Sequence, residues 1–214
     1  MSRGTGLLAE VADLDAWEDL LEEVPPSPEA VARSQGIRDE VTRRRAVASH
    51  SMLRRLIAGA LDVEPSEVTV THDDDGRPLV PGAGLWVSLS RRGRLCAGSA
   101  AWDGPCGVDV ELVEQWHDLD DVASEYFPNH ALDELRRAGS AAPWVFASWW
   151  TRIEAAAKAV GVGLESAAGA LECTLQYELD GTAALGFAAS VASTSLVDVE
   201  WRTNHLMPPP WSGI

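Results

Sequence analysis

The chain has 214 residues, 46% of them hydrophobic, enough apolar material for one sizeable core or two small ones. Its net charge of −16 and pI near 4.6 argue against nucleic acid and anionic membrane, which both need a basic footprint, and weigh mildly against phosphate-rich ligands. It carries no run of about 18 apolar residues and no basic-then-apolar leader, so neither a membrane span nor a signal peptide is expected.

In chain order, Leu7, Leu8, Val11, Leu14, Trp17, Leu20, Leu21 and Val24 recur at helical spacing, and residues 7–24 read as an amphipathic helix. Pro25-Pro26-Ser27-Pro28 breaks it, with Ser27 placed as an N-cap and Pro28 at the first helical position. Residues 28–61 are helical again and hold Arg33, Arg38, Arg43, Arg44, Arg45, Arg54 and Arg55, a positive island in an acidic protein. A short strand over 68–71 leads to Asp73-Asp74-Asp75-Gly76-Arg77-Pro78, a turn by composition. Alternation then predicts strands over 85–90 and 94–102, and Trp102-Asp103-Gly104-Pro105 reads as a turn and a seam. His117 and His130 are single histidines with no partner at ligand spacing. Strand-like pieces at 171–179, 184–191 and 196–202 precede a Pro-rich tail expected to be poorly ordered. The cysteines Cys96, Cys106 and Cys173 follow no metal-ligand spacing, which suits a reducing cytoplasm.

Two stretches carry chemistry. Gly107-Val108-Asp109-Val110-Glu111 alternates as a strand with both carboxylates on one face, a pair of hard oxygen donors that suits Mg²⁺. Trp149 to Val160 favours helix and ends at Gly161, which can cap it with a positive φ. Trp150, Glu154 and Lys158 are four apart and share a face. Lys158 is the only lysine; the other sixteen basic residues are arginine. Unlike arginine, a lysine can have its pKa shifted into a useful range and exchange protons. Taken alone, Glu154 and Lys158 are an ordinary helical ion pair, and Asp109 and Glu111 an ordinary acidic face.

In order and spacing, the two stretches resemble the signature pair of the surfactin-synthetase-type 4′-phosphopantetheinyl transferases, roughly G-I/V-D-I/V-E and then W-x-x-K-E-A-x-x-K-x-x-G-x-G-L. The resemblance implies an α+β fold of two similar α+β halves in one chain, a pseudo-dimer with the active site between them, here residues 1–103 and 104–214. It implies Mg²⁺-dependent transfer of 4′-phosphopantetheine from coenzyme A to a serine of an acyl or peptidyl carrier protein, by a cytoplasmic monomer. Asp109, Glu111 and Glu154 would hold the metal. Glu154 would take the serine proton, and Lys158 would offset phosphate charge and assist the leaving group. Arg54, within Met52 to Ile57, matches the family's L-V/L-R-x-x-I/L, whose arginine touches the coenzyme A nucleotide. Arg33 and Arg45 fall where the family has further basic residues. Arg77 and Pro78 match its G-K/R-P loop, and Ser90 and Arg91 its S-H-S/T element. Residues 112–125 correspond to the loop and helix that meet the carrier. Their acidic content, without lysine or arginine, favours peptidyl or modular polyketide carriers over strongly acidic ones.

Three positions depart from the pattern: Arg91 stands for His, Ala131 for Glu and Ile153 for Lys. Two of them are expected at the phosphates. They raise the alternative of a same-fold protein recruited to another enzymatic or carrier-binding task in a biosynthetic pathway.

Overall fold

In the computed structural model, residues 6–16, 18–114, 118–204 and 206 are described. Leu7–Asp13 form strand β1, followed by α1 (Glu18–Glu23), α2 (Pro28–Ser34) and the long α3 (Glu40–Leu61). A two-stranded ribbon, β2 (Thr71–His72) and β3 (Pro78–Leu79), leads to β4 (Trp86–Arg92) and β5 (Leu95–Ala101). Then come β6 (Cys106–Leu112), α4 (Leu119–Tyr126), α5 (Asn129–Arg137) and a second long helix, α6 (Ala142–Val160). The remainder is α7 (Ala167–Glu172), β7 (Leu175–Glu178), β8 (Phe187–Ser193) and β9 (Val199–Asn204).

One connectivity occurs twice. A strand, a long helix and two further strands form sheets in which the third strand lies central: β4-β5-β1 in the first half and β7-β8-β6 in the second. Helix α3 packs on the first sheet and α6 on the second. Strand β9, late in the chain, pairs parallel with β1 and completes a four-stranded sheet. Buried Glu10 on β1 fastens that junction by accepting from Asn204 Nδ2 at 2.8 Å and from the Arg55 guanidinium.

The expected helix over 7–24 is corrected. The segment opens as β1, pairing antiparallel with β5 on one side and parallel with β9 on the other. Buried on both faces, β1 loses the apolar–polar alternation that marks a half-exposed strand, and its leucines then mimic helical spacing. The helical stretch over 28–61 divides into α2 and α3 with a break near Gly36. Ser27 caps α2 as expected, its Oγ accepting from Ala30 N at 3.1 Å. The strand expected over 68–71 is displaced to Thr71–His72, and residues 171 and 172 belong to α7. His117 and the tail from Met207 lie outside the described residues.

The sheets meet where β6 runs alongside β4 with serine hydroxyls between them. Val108 N donates to Ser88 Oγ at 3.2 Å, and Ser90 Oγ donates to Asp109 Oδ1 at 2.6 Å. Helix α6 presses on β6 so closely that a Cβ at Gly107 would lie 2.0 Å from the Ala155 carbonyl oxygen. Glycine at 107 and the alanine run of α6 are the small residues that this approach demands. Among the described residues, no helix is long and apolar enough to cross a membrane.

Candidate functional site

The seam sets β6 and α6 side by side, and their polar faces converge. Lys158 Nζ lies 2.6 Å from Asp109 Oδ1 and 3.3 Å from Glu154 Oε2, and donates to Ser90 Oγ at 3.1 Å and the Val108 carbonyl at 3.3 Å. Asp109 is almost fully buried, and its Oδ2 has no hydrogen-bond partner among the described residues. Glu111 Oε2 is 3.0 Å from Arg92 Nε, an ion pair off hydrogen-bond alignment; Arg92 also reaches Glu114 at 3.5 Å.

Charge is held here at a cost. Burial, with the Asp109 and Glu154 charges added, pushes the Glu111 carboxyl up to about 7 against the pull of Arg92. Burial also pushes Asp109 up, reinforced by Glu154 and opposed by Lys158 and Ser90. The partners resolve differently: desolvation wins at Asp109, whereas at Lys158 the two carboxylates outweigh burial and hold the ammonium above its ordinary value. The site therefore has a surplus of buried carboxylate over cation.

That surplus fits a hard divalent cation. The donors are carboxylate oxygens, one of them is buried without a partner, and their mutual repulsion would be relieved by positive charge. Among the described residues, no three His, Cys, Asp or Glu side chains converge as a ready cage, and Lys158 sits between Asp109 and Glu154. Mg²⁺ does not require a cage, because it takes one or two carboxylates and completes its shell with water and phosphate oxygens.

The arginines expected to grip the coenzyme fall into two groups. Arg54 is buried, donating to the Pro25 carbonyl at 2.7 Å and the Pro65 carbonyl at 2.6 Å, so its guanidinium clamps two loops. Arg45 forms a bidentate pair with Asp15 at 2.7 and 2.6 Å. Both guanidinium groups are engaged within the fold. Arg33, Arg77 and Arg91, by contrast, appear in no ion pair among the described residues.

The acidic run before Arg77 is also accounted for. Asp73 Oδ1 accepts from Asp75 N at 3.0 Å and Arg77 N at 2.8 Å, so its carboxylate folds the turn. This turn aims the Arg77 guanidinium at the end of α6, 2.7 Å from where a Cβ of Gly161 would stand; Gly161 caps α6 with φ +87°. Pro78 pairs with His72 in the ribbon. Ser90 and Arg91, successive on β4, point to opposite faces of the strand, Ser90 towards Asp109 and Arg91 within electrostatic reach of His50.

Two of the departures prove not to be site residues. Ile153 and Ala131 are both fully buried in one apolar cluster with Ala123, Phe127, Phe146 and Trp149, between α6 and the helices α4 and α5. Ile153 removes no charge from the seam, because its side chain lies on another face of α6. His50 and His72, which no motif in the sequence marks, have rings that meet edge to face at 5.4 Å. They are 22 positions apart and come together only because the β2–β3 ribbon folds back beside α3; a single histidine inside a helical pattern gave no signal.

Comparison with known proteins agrees with this geometry. Residues 105–205, from β6 through β9, match the 4′-phosphopantetheinyl transferase superfamily. The chain is similar to the 4′-phosphopantetheinyl transferase HetI of Nostoc sp., 28% identical over 158 residues, covering 71% of this chain and 67% of that protein. It is similar also to a phosphopantetheinyl transferase of Thraustochytrium sp., 29% identical over 147 residues, covering 62% of this chain and about half, 51%, of that protein.

Proposed function

We propose that the chain is an enzyme of the 4′-phosphopantetheinyl transferase superfamily, to which its second half is matched, and that it moves 4′-phosphopantetheine from coenzyme A to a serine of a carrier protein. The observation that carries the reading is the convergence of Asp109, Glu154, Lys158 and Ser90 where the two halves meet. The repeated connectivity of the halves supports the two-half, surfactin-synthetase-type architecture.

The serine Oγ forms a bond to the β-phosphorus of coenzyme A, the bond from that phosphorus to the bridging oxygen breaks, and 3′,5′-adenosine bisphosphate leaves. Such a transfer needs alignment and charge neutralisation more than covalent help. Glu154, half-buried at the seam, would accept the serine proton. Lys158, fixed as an ammonium by Asp109, would face the charge that accumulates on the departing phosphate. Asp109, Glu111 and Glu154 would hold Mg²⁺, which when bound supplies positive charge to the pyrophosphate. Arg77 and Arg91, both outside any ion pair among the described residues, would bind the nucleotide end across the end of β4.

A recruited, non-transferring protein loses its main argument, since Ile153 and Ala131 lie in the core. We place the enzyme in the cytoplasm with an acyl or peptidyl carrier as partner. The acidic side chains of α4 favour carriers that are not themselves strongly acidic. The test is intact-protein mass spectrometry of apo carriers incubated with coenzyme A, Mg²⁺ and this protein. A gain of one phosphopantetheine, abolished by chelator, is expected. No gain on any carrier that a known transferase modifies in parallel would overturn the proposal.

A further inference from the structure

Asp109 on β6 lies between serines of the two neighbouring strands, and they treat its oxygens differently. Ser90 on β4 donates to Oδ1 at 2.6 Å, and Lys158 Nζ reaches the same oxygen at 2.6 Å. Ser190 on β8 stands directly across from Asp109 in the β6–β8 ladder, on the face that α6 covers. Side chains so opposed have Cβ atoms about 4.5–5.5 Å apart, which puts a serine hydroxyl within one rotation of its neighbour's carboxylate. Yet Asp109 Oδ2 is buried with no hydrogen-bond partner among the described residues. The reason lies one layer up, on α6. Thr151 Oγ1 donates to the Ser148 carbonyl at 3.0 Å, a back-bond that threonine makes inside helices, and lies 2.9 Å from Ser190 Oγ. A hydroxyl has one proton. With that of Thr151 given to a carbonyl, Ser190 must be the donor in the hydroxyl pair, and it has no proton left for Asp109. Thr151 and Ser190 are both fully buried, so solvent does not scramble this order.

We infer that Thr151 is a positioning residue for the divalent cation: by accepting the Ser190 proton, it keeps Asp109 Oδ2 bare as a ligand. The inference rests on the Mg²⁺ reading given above. A buried carboxylate oxygen that accepts a hydroxyl proton is partly satisfied without a cation; one that accepts nothing holds its negative charge for a metal. Ser90 and Lys158 satisfy Oδ1, so the carboxylate is divided between an anchored oxygen and an open one. A valine at 151 would fill the same space and leave the Ser190 proton without an acceptor. That proton would turn to Oδ2, and a cation would then have to displace it. Thr151 stands one turn before Glu154 on α6, so the helix that carries one proposed ligand also sets the hydrogen-bond direction behind another.

The experiment measures Mn²⁺ affinity of the full chain by electron paramagnetic resonance of the free ion, with coenzyme A saturating, no carrier present and the ion's binding to coenzyme A alone subtracted. Mn²⁺ stands in for Mg²⁺ as a hard ion with the same preference for oxygen ligands. T151V should bind Mn²⁺ roughly 10–100-fold more weakly, the scale on which lost support behind a ligand acts. T151S, which keeps the hydroxyl, and S190A, which has no proton to misdirect, should bind like wild type. T151V/S190A should recover most of what T151V loses, a non-additivity that a packing role does not produce. A second measurement needs no variant: the buried Thr151 hydroxyl proton should show a nuclear magnetic coupling across its hydrogen bond to the Ser148 carbonyl carbon. Wild-type affinity in T151V, a loss that persists undiminished in T151V/S190A, or a Ser190 proton coupled instead to the Asp109 carboxyl overturns the inference and leaves the transferase reading standing. Wild type that binds no Mn²⁺ with coenzyme A present overturns the metal reading and the inference with it.

Discussion

Helix α6 has two faces with opposite histories. One turns Glu154 and Lys158 to the seam, where they meet Asp109 and Ser90; the other packs Ile153 and Trp149 against α4 and α5. The seam face keeps every charged residue of the motif it resembles. The packed side carries apolar Ile153 on α6 and, on the facing α5, apolar Ala131, where the resembled pattern has charged residues; both are fully buried in the same cluster. A lysine and a glutamate brought into such a core together can neutralise each other, and exchanging both for apolar groups is commonly neutral or stabilising. The departures thus read as one coupled core change, and the chemistry can persist beside it. The distinction turns on which way adjacent side chains of one helix point.

The largest expected effect tests the seam face. Glu154→Gln keeps the shape and removes the proton acceptor, so transfer should fall by roughly 10²–10⁴-fold while thermal stability stays within a degree or two. A near wild-type rate would remove Glu154 from the role of base.

The packed face is tested by restoring its charges. Ile153→Lys alone leaves an uncompensated charge in an apolar core and should cost about 3–5 kcal/mol in chemical denaturation. Adding Ala131→Glu should recover part of this, with a coupling of about 0.5–3 kcal/mol in the double-mutant cycle. Additive losses would mean that the two positions do not communicate. An Ile153→Lys protein that gains activity at unchanged stability would mean that residue 153 does reach the site.

The same contrast orders the arginines. Arg77→Ala should raise the KM for coenzyme A by roughly 10–100-fold, the scale of one charged hydrogen-bonding group, with little change in melting. Arg54→Ala should instead lower stability by about 1–3 kcal/mol, since two loop carbonyls lose their donor, and leave KM nearly untouched. Exchanged phenotypes would reverse the assignment.

How much of this was legible in the letters follows from range. Gly107 to Glu111, the Glu154–Lys158 spacing and the Gly161 cap are local, and each appears where its pattern placed it. β1 does not read as a strand in the letters because burial on both faces erases the periodicity that names one. Arg54 and Arg33 look alike in sequence; only the carbonyls of Pro25 and Pro65, brought to α3 by distant loops, separate the clamp from a guanidinium that is in no ion pair among the described residues. Gly107 was legible as part of a motif, but its cause, the Ala155 backbone against the strand, is a tertiary contact.

The smallest effect concerns pH and metal, and the seam differs here from the His50–His72 pair in sign. Glu111 has its folded pKa raised to about 7, so its contribution to stability is complete below its unfolded value of 4.5 and is lost as pH rises through about 7. Asp109 acts in the same direction. His50, lowered from 6.5 to about 4, acts oppositely: stability is complete above 6.5 and declines as pH falls towards 4. Metal-free protein should therefore lose melting temperature on both sides of an optimum between these limits. Mg²⁺ favours the ionised carboxylates, so it should raise melting by a few degrees near pH 8 and by much less near pH 5. Asp109→Asn with Glu111→Gln should remove the alkaline decline and the Mg²⁺ response together, while His50→Gln should remove only the acid decline. A Mg²⁺ response that is equal at both pH values, or that survives the double carboxylate substitution, would place the ion away from the seam.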